Sequence, residues 1–249
     1  MTIKELEFLN DIEEALKKCN IHSALSDDNF TYEVTNLLPH SFCDKYVIDT
    51  QCGATKGVII PLDSEINIVI KIPFGGEDSE GEEYFNEDTE EYEMTEGDWY
   101  EYSGAYFETS DTYANFDNNY CALEEFIYNY CAEKGLASCL AKTEKVFEIN
   151  EVPIYIQEKA ITFIDMSDDE YERRSSSHSD EEKQYVENNI TCEVNSIWLC
   201  DAIEYAGEQV IKTLMQLLEE IDCDQDLRIC NIGYINERPV LIDYCGYRS

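Results

Sequence analysis

Toward the C-terminal end of the chain Asp226 and Asn231 stand five residues apart, and Asp243 follows the apolar run Val240-Leu241-Ile242. Two carboxylates and a carboxamide offer hard oxygen ligands of the kind Mg²⁺ prefers. Asn236 is a turn former, so the stretch reads as a hairpin that returns Asp243 toward Asn231. A plain hairpin with acidic ends fits the same residues, because Asp and Asn are common in turns. A second candidate lies far upstream. Lys71 sits inside the apolar run Ile66-Asn67-Ile68-Val69-Ile70-Lys71-Ile72, and in a strand it faces away from Ile70 and Ile72. A lysine in such a run is either a solubilising edge charge or a cation with a buried partner.

The elements that must position these residues are legible in outline. Residues 3–19 carry Ile3, Leu6, Leu9, Ile12 and Leu16 at helical spacing, with Lys17-Lys18 at the end where the helix dipole favours cations. From Tyr46 the pattern turns to short β-type runs. Tyr46-Val47-Ile48 leads into the loop Gly53-Ala54-Thr55-Lys56-Gly57, then Val58-Ile59-Ile60-Pro61, a turn at residues 62–65, and the strand bearing Lys71. This predicts an antiparallel meander around a glycine-bearing loop. Leu123, Phe126, Ile127 and Tyr130 make a helical stripe ended by Gly135. Glu124 and Glu125 lie on it, Glu124 nearer the stripe's face. Val146 to Ile149 and Val152 to Ile156 predict two more strands, with Pro153 at a start or an edge. Residues 166–189 are apolar-poor and read as a loop or insertion. Arg173-Arg174-Ser175-Ser176 within them has the form of a phosphorylation site, and His178 reads as exposed. Residues 196–221 carry the longest helical pattern, Ile197 through Ile221, running directly into the hairpin of residues 222–249.

Composition narrows the setting. The chain has 249 residues and a net charge of −38, with 55 acidic against 17 basic side chains. Such a surface repels nucleic acid and anionic membranes and attracts basic partners and divalent cations. Its 43% apolar and 12% aromatic content argues for a folded core under an acidic coat rather than a disordered chain. Residues 75–118 contain no Lys or Arg and interleave Glu and Asp with Tyr, Phe and Trp. They read either as a solvated insertion or as an arm (residues 77–117) that draws in a basic protein partner. In the second reading carboxylates steer and aromatic rings supply contact area. The eleven cysteines are scattered without a C-x-x-C pair, a spacing that argues against structural zinc. No basic-then-apolar leader pattern and no long apolar run is present. These features predict a cytoplasmic chain with reduced thiols and no membrane span.

Taken in order, glycine loop, strand lysine, helix glutamate, two strands, long helix, Asp-x-x-x-x-Asn and strand-Asp-Tyr, the region from Tyr46 to Tyr247 resembles the protein-kinase-like fold. The resemblance implies an α+β architecture. An antiparallel five-stranded N-lobe with one helix (residues 46–160) would follow an N-terminal helical segment (1–45). A reduced C-lobe (161–249) would carry the catalytic-type hairpin. It also implies ATP and Mg²⁺ as cofactors. Lys71, with the backbone of Gly53, Ala54, Thr55, Lys56 and Gly57, would hold phosphates. Glu124 would orient Lys71, Asp226 would be the base, and Asn231 and Asp243 would bind Mg²⁺. The sequence departs from the family in several places. Asp224 and Gln225 stand where protein kinases have His and Arg, and Tyr244-Cys245 stands for Phe-Gly. The loop lacks the full glycine pattern, and few residues follow Asp243. The expectation is a phosphotransferase of unknown substrate or, alternatively, a catalytically inactive kinase-like protein. Such an acidic protein resembles phage anti-defence proteins and DNA mimics, which bind or inhibit a basic, nucleic-acid-binding partner.

Overall fold

The computed structural model describes residues 1–19, 21, 38–52, 55–74, 83–86, 91–94, 104–191, 194–223 and 227–245. Helix α1 (Ile3–Leu16) starts at a capping box, in which Thr2 Oγ1 accepts from Glu5 N and the Glu5 carboxylate accepts from Thr2 N at 2.7 Å. After the short helix α2 (His40–Cys43) come β1 (Ile48–Cys52), β2 (Lys56–Pro61) and β3 (Ile68–Pro73). Two hairpins follow, β4 (Glu83–Asn86) with β5 (Glu91–Met94), and β6 (Tyr106–Glu108) with β7 (Tyr113–Asn115). Then come α3 (Tyr120–Glu133), β8 (Thr143–Ile149), β9 (Val152–Glu158) and the short β10 (Ile161–Thr162). Helices α4 (Asp168–Ser177), α5 (Asp180–Asn189), α6 (Ser196–Ala206) and α7 (Glu208–Glu220) precede the hairpin β11 (Ile232–Ile235) and β12 (Arg238–Leu241).

The main sheet is antiparallel and five-stranded in the order β1-β2-β3-β9-β8. The fold is thus α+β, as the sequence predicts at that level. β3 lies between β2 and β9, and all six of its residues are buried. Its period of two divides them. Ile68, Ile70 and Ile72 join Phe8, Leu9, Ile12 and Leu16 of α1 in one apolar cluster, while Lys71 takes the other face. Burying each such aliphatic or aromatic side chain contributes roughly 1.5–3 kcal/mol, which fixes α1 on the sheet. The α1 stripe is rotated from its predicted line: Ile3 and Leu6 are exposed and Phe8 is buried, packed edge-on against Tyr46.

A second apolar cluster joins α3 to the C-terminal helices and the β11–β12 hairpin, with Trp198 fully buried among them. Phe107 of β6 belongs to it, 5.0 Å from Phe126 and 4.7 Å from Tyr130 between ring centroids. The acidic, aromatic stretch is therefore not an arm throughout: residues 104–118 pack on α3. The rest of the predicted arm lies outside the described residues, apart from the β4–β5 hairpin.

Three further expectations are corrected. Residues 166–189 are not a loop but the helices α4 and α5, capped by Ser167 and Ser179. The helical run 196–221 is broken in two at Gly207, whose φ of 92° lies in the left-handed region. His178 is buried rather than exposed. Its Nε2 lies 2.7 Å from Asp201 Oδ1, while Tyr234 Oη donates to Asp201 Oδ2 at 2.6 Å. Arg174 reaches the same Oδ2 at 3.3 Å and stacks its guanidinium 3.5 Å from the Tyr234 ring centroid. No disulfide joins the cysteines among the described residues.

At β11 the chain needs a glycine. A Cβ on Gly233 would fall inside the contact distance of the Ile161 carbonyl in β10. Trp198 Nε1 donates to the Gly233 carbonyl at 3.2 Å. The β11–β12 turn carries Asn236 at a φ of 56°, a conformation Asn tolerates better than most residues. β12 then delivers residues 242–245 against the open face of β3. Among the described residues no helix is long and apolar enough to cross a membrane.

Candidate functional site

Six segments converge where α3 meets the main sheet: α3 itself, β2, β3, β8, β9 and residues 242–245. Helix α3 begins at Asn119, whose side chain accepts from Ala122 N at 2.9 Å. It turns Leu123, Ile127 and Cys131 into the core, and Glu124 with them, at 0% exposure. From β3, Lys71 Nζ donates to both Glu124 oxygens, at 2.8 Å and 3.0 Å, and to the Ile242 carbonyl at 3.0 Å. From the first position of β2, Lys56 Nζ donates to Glu124 Oε1 at 2.7 Å and to Asp243 Oδ1 at 2.5 Å, and lies 3.4 Å from Cys245 Sγ. From β8 and β9, Thr143 Oγ1 and Gln157 Nε2 reach Glu124 Oε2, and Gln157 also donates to the Ile242 carbonyl at 2.7 Å.

The segment after β12 is held by backbone and ring. Ala141 N donates to the Leu241 carbonyl and Ile242 N to the Asn231 carbonyl, each at 2.9 Å. Tyr244 is fully buried, and its hydroxyl reaches the Ala141 carbonyl at 3.0 Å and the Glu124 carbonyl at 3.3 Å. That ring ties the residue after Asp243 to the backbone of α3.

Lys71, Glu124 and Asp243, singled out from types and spacing, thus stand in one cluster. Lys56 joins them through its side chain, whereas the sequence offered it only as part of a backbone loop. Thr55 and Gly57 flank it, Gly57 already inside β2. Gly53, Ala54 and Asp226 lie outside the described residues. Asn231 meets the cluster through the backbone bond to Ile242. Gln157 and Thr143 went unnoticed, since a Gln or Thr in a strand carries no spacing signal, and Tyr244 was read only as the residue after Asp243.

The electrostatics follow from burial. Two ammonium groups face two carboxylates, and the four charges cancel. Burial alone would pull the Lys56 ammonium down, but the Asp243 and Glu124 carboxylates more than offset this and hold it well above 10.5. Burial likewise pushes the Asp243 carboxyl up, and Lys56, then Lys71, outweigh it and hold the group well below 3.8. Burial drives the Cys245 thiol well above its ordinary range, so it stays protonated.

A pH window follows. A lowered carboxyl contributes stability that is complete above its ordinary value and lost as pH falls through the lowered one. A raised ammonium contributes below its ordinary value and loses that as pH rises through the raised one. The Lys56–Asp243 pair is therefore intact from about pH 4 to about pH 10. Urea midpoints of wild type and Asp243→Asn should differ by a constant amount from about pH 5 to about pH 9, and the gap should close at lower pH. A gap unchanged down to about pH 2 would show that the charge of Asp243 is not what the fold uses.

Whether Mg²⁺ fits this arrangement can be tested on geometry. Glu124, Asp243 and Cys245 each present one ligand atom, all within 4.8 Å of one another. Lys56 Nζ already sits among the three. Mg²⁺ binds oxygen at about 2.0–2.1 Å, so an ion on Asp243 Oδ1 would press against the ammonium. With Lys56 in this position the cluster does not accept the metal. No protein-family model, curated protein or solved structure matches the chain.

Proposed function

We propose that the chain is a catalytically silent kinase-like protein, an acidic scaffold that binds or blocks a basic partner. The observation that carries the silent half is the saturation of both ammonium groups. A lysine has three N–H donors and no acceptor. Lys71 spends its three on the two Glu124 oxygens and the Ile242 carbonyl. Lys56 spends its own on Glu124, Asp243 and Cys245. In a working kinase-like site the strand lysine donates to phosphates and the second Asp holds Mg²⁺. Here neither group has a free donor or an unopposed charge to offer on that side.

The kinase-like part of the reading is supported by the five-stranded antiparallel sheet, the Lys71–Glu124 pair and the position of Asp243 after a hairpin strand. The partner half rests on the net charge of −38. A site whose cations are all engaged leaves a polyanion nothing to bind, whereas a basic protein meets attraction over the whole surface. Such a protein resembles DNA mimics, in which carboxylates stand in for phosphates.

A second reading, a Mg-ATP phosphotransferase, is favoured by one observation. The Asp243 side chain keeps 31% of its surface open, so an outward swing of Lys56 would free it. Calorimetric titration with Mg-ATP separates the two. The silent reading expects wild type, Lys71→Ala and Asp243→Ala to bind equally and negligibly, with Kd weaker than about 1 mM. Micromolar binding by wild type, lost in both variants, would overturn it in favour of the phosphotransferase. Association with a basic partner should weaken as salt shortens the screening length from about 30 Å at 0.01 M to about 8 Å at 0.15 M. Salt-insensitive capture would count against the partner half.

A further inference from the structure

We infer that Lys56 is a tethered cation, supplying from within the chain the charge that a divalent ion would otherwise bring to Glu124 and Asp243. The inference rests on the silent-site reading and says how that site is kept silent. Its first support is position. Lys56 pairs with Pro73 and Gly57 with Ile72 in the β2–β3 register, so the sheet fixes the point from which the lysine stem reaches inward. The residue is 4% exposed, and its charge lies in the interior rather than at the lip of the cleft.

Its second support is the set of atoms around Nζ. Glu124 Oε1, Asp243 Oδ1 and Cys245 Sγ surround it at 2.7, 2.5 and 3.4 Å. Two carboxylate oxygens and a sulfur are a donor set for a divalent cation, and here an ammonium occupies their centre. Lys71 does not compete for that place, because it approaches Glu124 from β3 and turns its third donor to the Ile242 carbonyl. Charge supplies the third support. With Lys56 the four ionised groups cancel; without it two carboxylates face one ammonium, and the excess negative charge is partly buried.

Exchanging Lys56 for a neutral side chain should therefore create an ion site that the wild type lacks. The probe is Mn²⁺ alone, with no nucleotide, followed by electron paramagnetic resonance and by thermal melting. Exposed carboxylates on so acidic a chain give a background of weak sites, so each protein is compared with its Asp243→Asn counterpart. Lys56→Met should gain one Mn²⁺ site roughly tenfold or more tighter than background, and Lys56→Met/Asp243→Asn should lose it. Wild type and Asp243→Asn should bind Mn²⁺ alike.

A Mn²⁺ site in wild type that Asp243→Asn removes would overturn the inference, as would a folded Lys56→Met that gains none. Should Lys56→Met not fold, the melting pair decides. Mn²⁺ in place of chelator must leave the gap between wild type and Asp243→Asn unchanged, and a widened gap refutes the tethered-cation role. Because no nucleotide is present, failure here leaves the silent-site reading to the separate Mg-ATP titration.

Discussion

Glu124→Gln should cost about 3–5 kcal/mol of folding stability, the loss typical of breaking a buried ion pair from one side. The carboxylate is fully buried and accepts from Lys71, Lys56, Thr143 and Gln157. An isosteric amide keeps its volume but leaves two buried ammonium groups against a single carboxylate. It also turns an NH₂ group toward donors that have nowhere else to go. The penalty comes from stranding these groups, not from the worth of the ion pair, which a well-packed apolar substitute often matches. For a chain of this size the loss lowers Tm by roughly 6–20 °C. Lys56→Met added to Glu124→Gln restores the charge balance, so the double variant should be less damaged than the two single losses predict, with a coupling of about 0.5–3 kcal/mol. A Glu124→Gln protein within about 0.5 kcal/mol of wild type, the range of ordinary surface changes, would mean that the cluster does not hold α3 to the sheet.

The cluster also marks how far residue types alone reach. Lys71 stood out because a charge inside an all-apolar strand demands a partner; Glu124, as the helix glutamate that the resemblance calls for, was preferred to Glu125 because it lies nearer the stripe's face. Those arguments use period and polarity, both of which survive in a linear string. Lys56 did not stand out. It sits beside a glycine in a polar stretch, where a lysine is ordinary, and its inward course depends on β2 starting at that residue rather than beyond it. Asn231 was read as a side-chain ligand; its carbonyl also accepts from Ile242 N, a role that leaves no mark on side-chain identity.

The same distinction runs through the fold. β1 was expected too early, at Tyr46-Val47-Ile48, because its own residues Ile48–Cys52 are largely polar, whereas β2, β3, β9 and the end of β8 were legible as short apolar runs between turn residues. Helices α4 and α5 were not. Asp168–Ser177 and Asp180–Asn189 bury little beyond Arg174 and Val186, so neither shows an apolar stripe. Their evidence was instead in the caps, Ser167 and Ser179, each followed by a glutamate three residues on. Gly207 was likewise visible as a letter inside a helical pattern. Only its φ shows that it ends one helix and opens another, since a glycine within a helix is tolerated at about 1 kcal/mol.

Asp201→Ala should be the second severe lesion, at about 3–5 kcal/mol, although no spacing argument singles the residue out. Its carboxylate, 14% exposed, accepts from Tyr234 and Arg174 on one oxygen and meets His178 on the other. Truncation leaves the Tyr234 hydroxyl, whose proton burial holds far above its ordinary range, without its acceptor. Of its ion pairs among the described residues Arg174 keeps those with Glu170 and the exposed Glu237. An orphaned buried donor costs about 1–3 kcal/mol and a stranded charge more. The loss has an address as well as a size: Arg174 and His178 tie α4 and its C-terminal end to Asp201 of α6 and Tyr234 of β11, while α5 adds Val186 to the core. Hydrogen exchange of Asp201→Ala should therefore show α4 and α5 losing protection well before the main sheet. Asp201→Asn, which retains an acceptor for Tyr234, should fall between the two. A cost under about 1 kcal/mol with α4 and α5 still protected would mean that these helices are held by something other than this network.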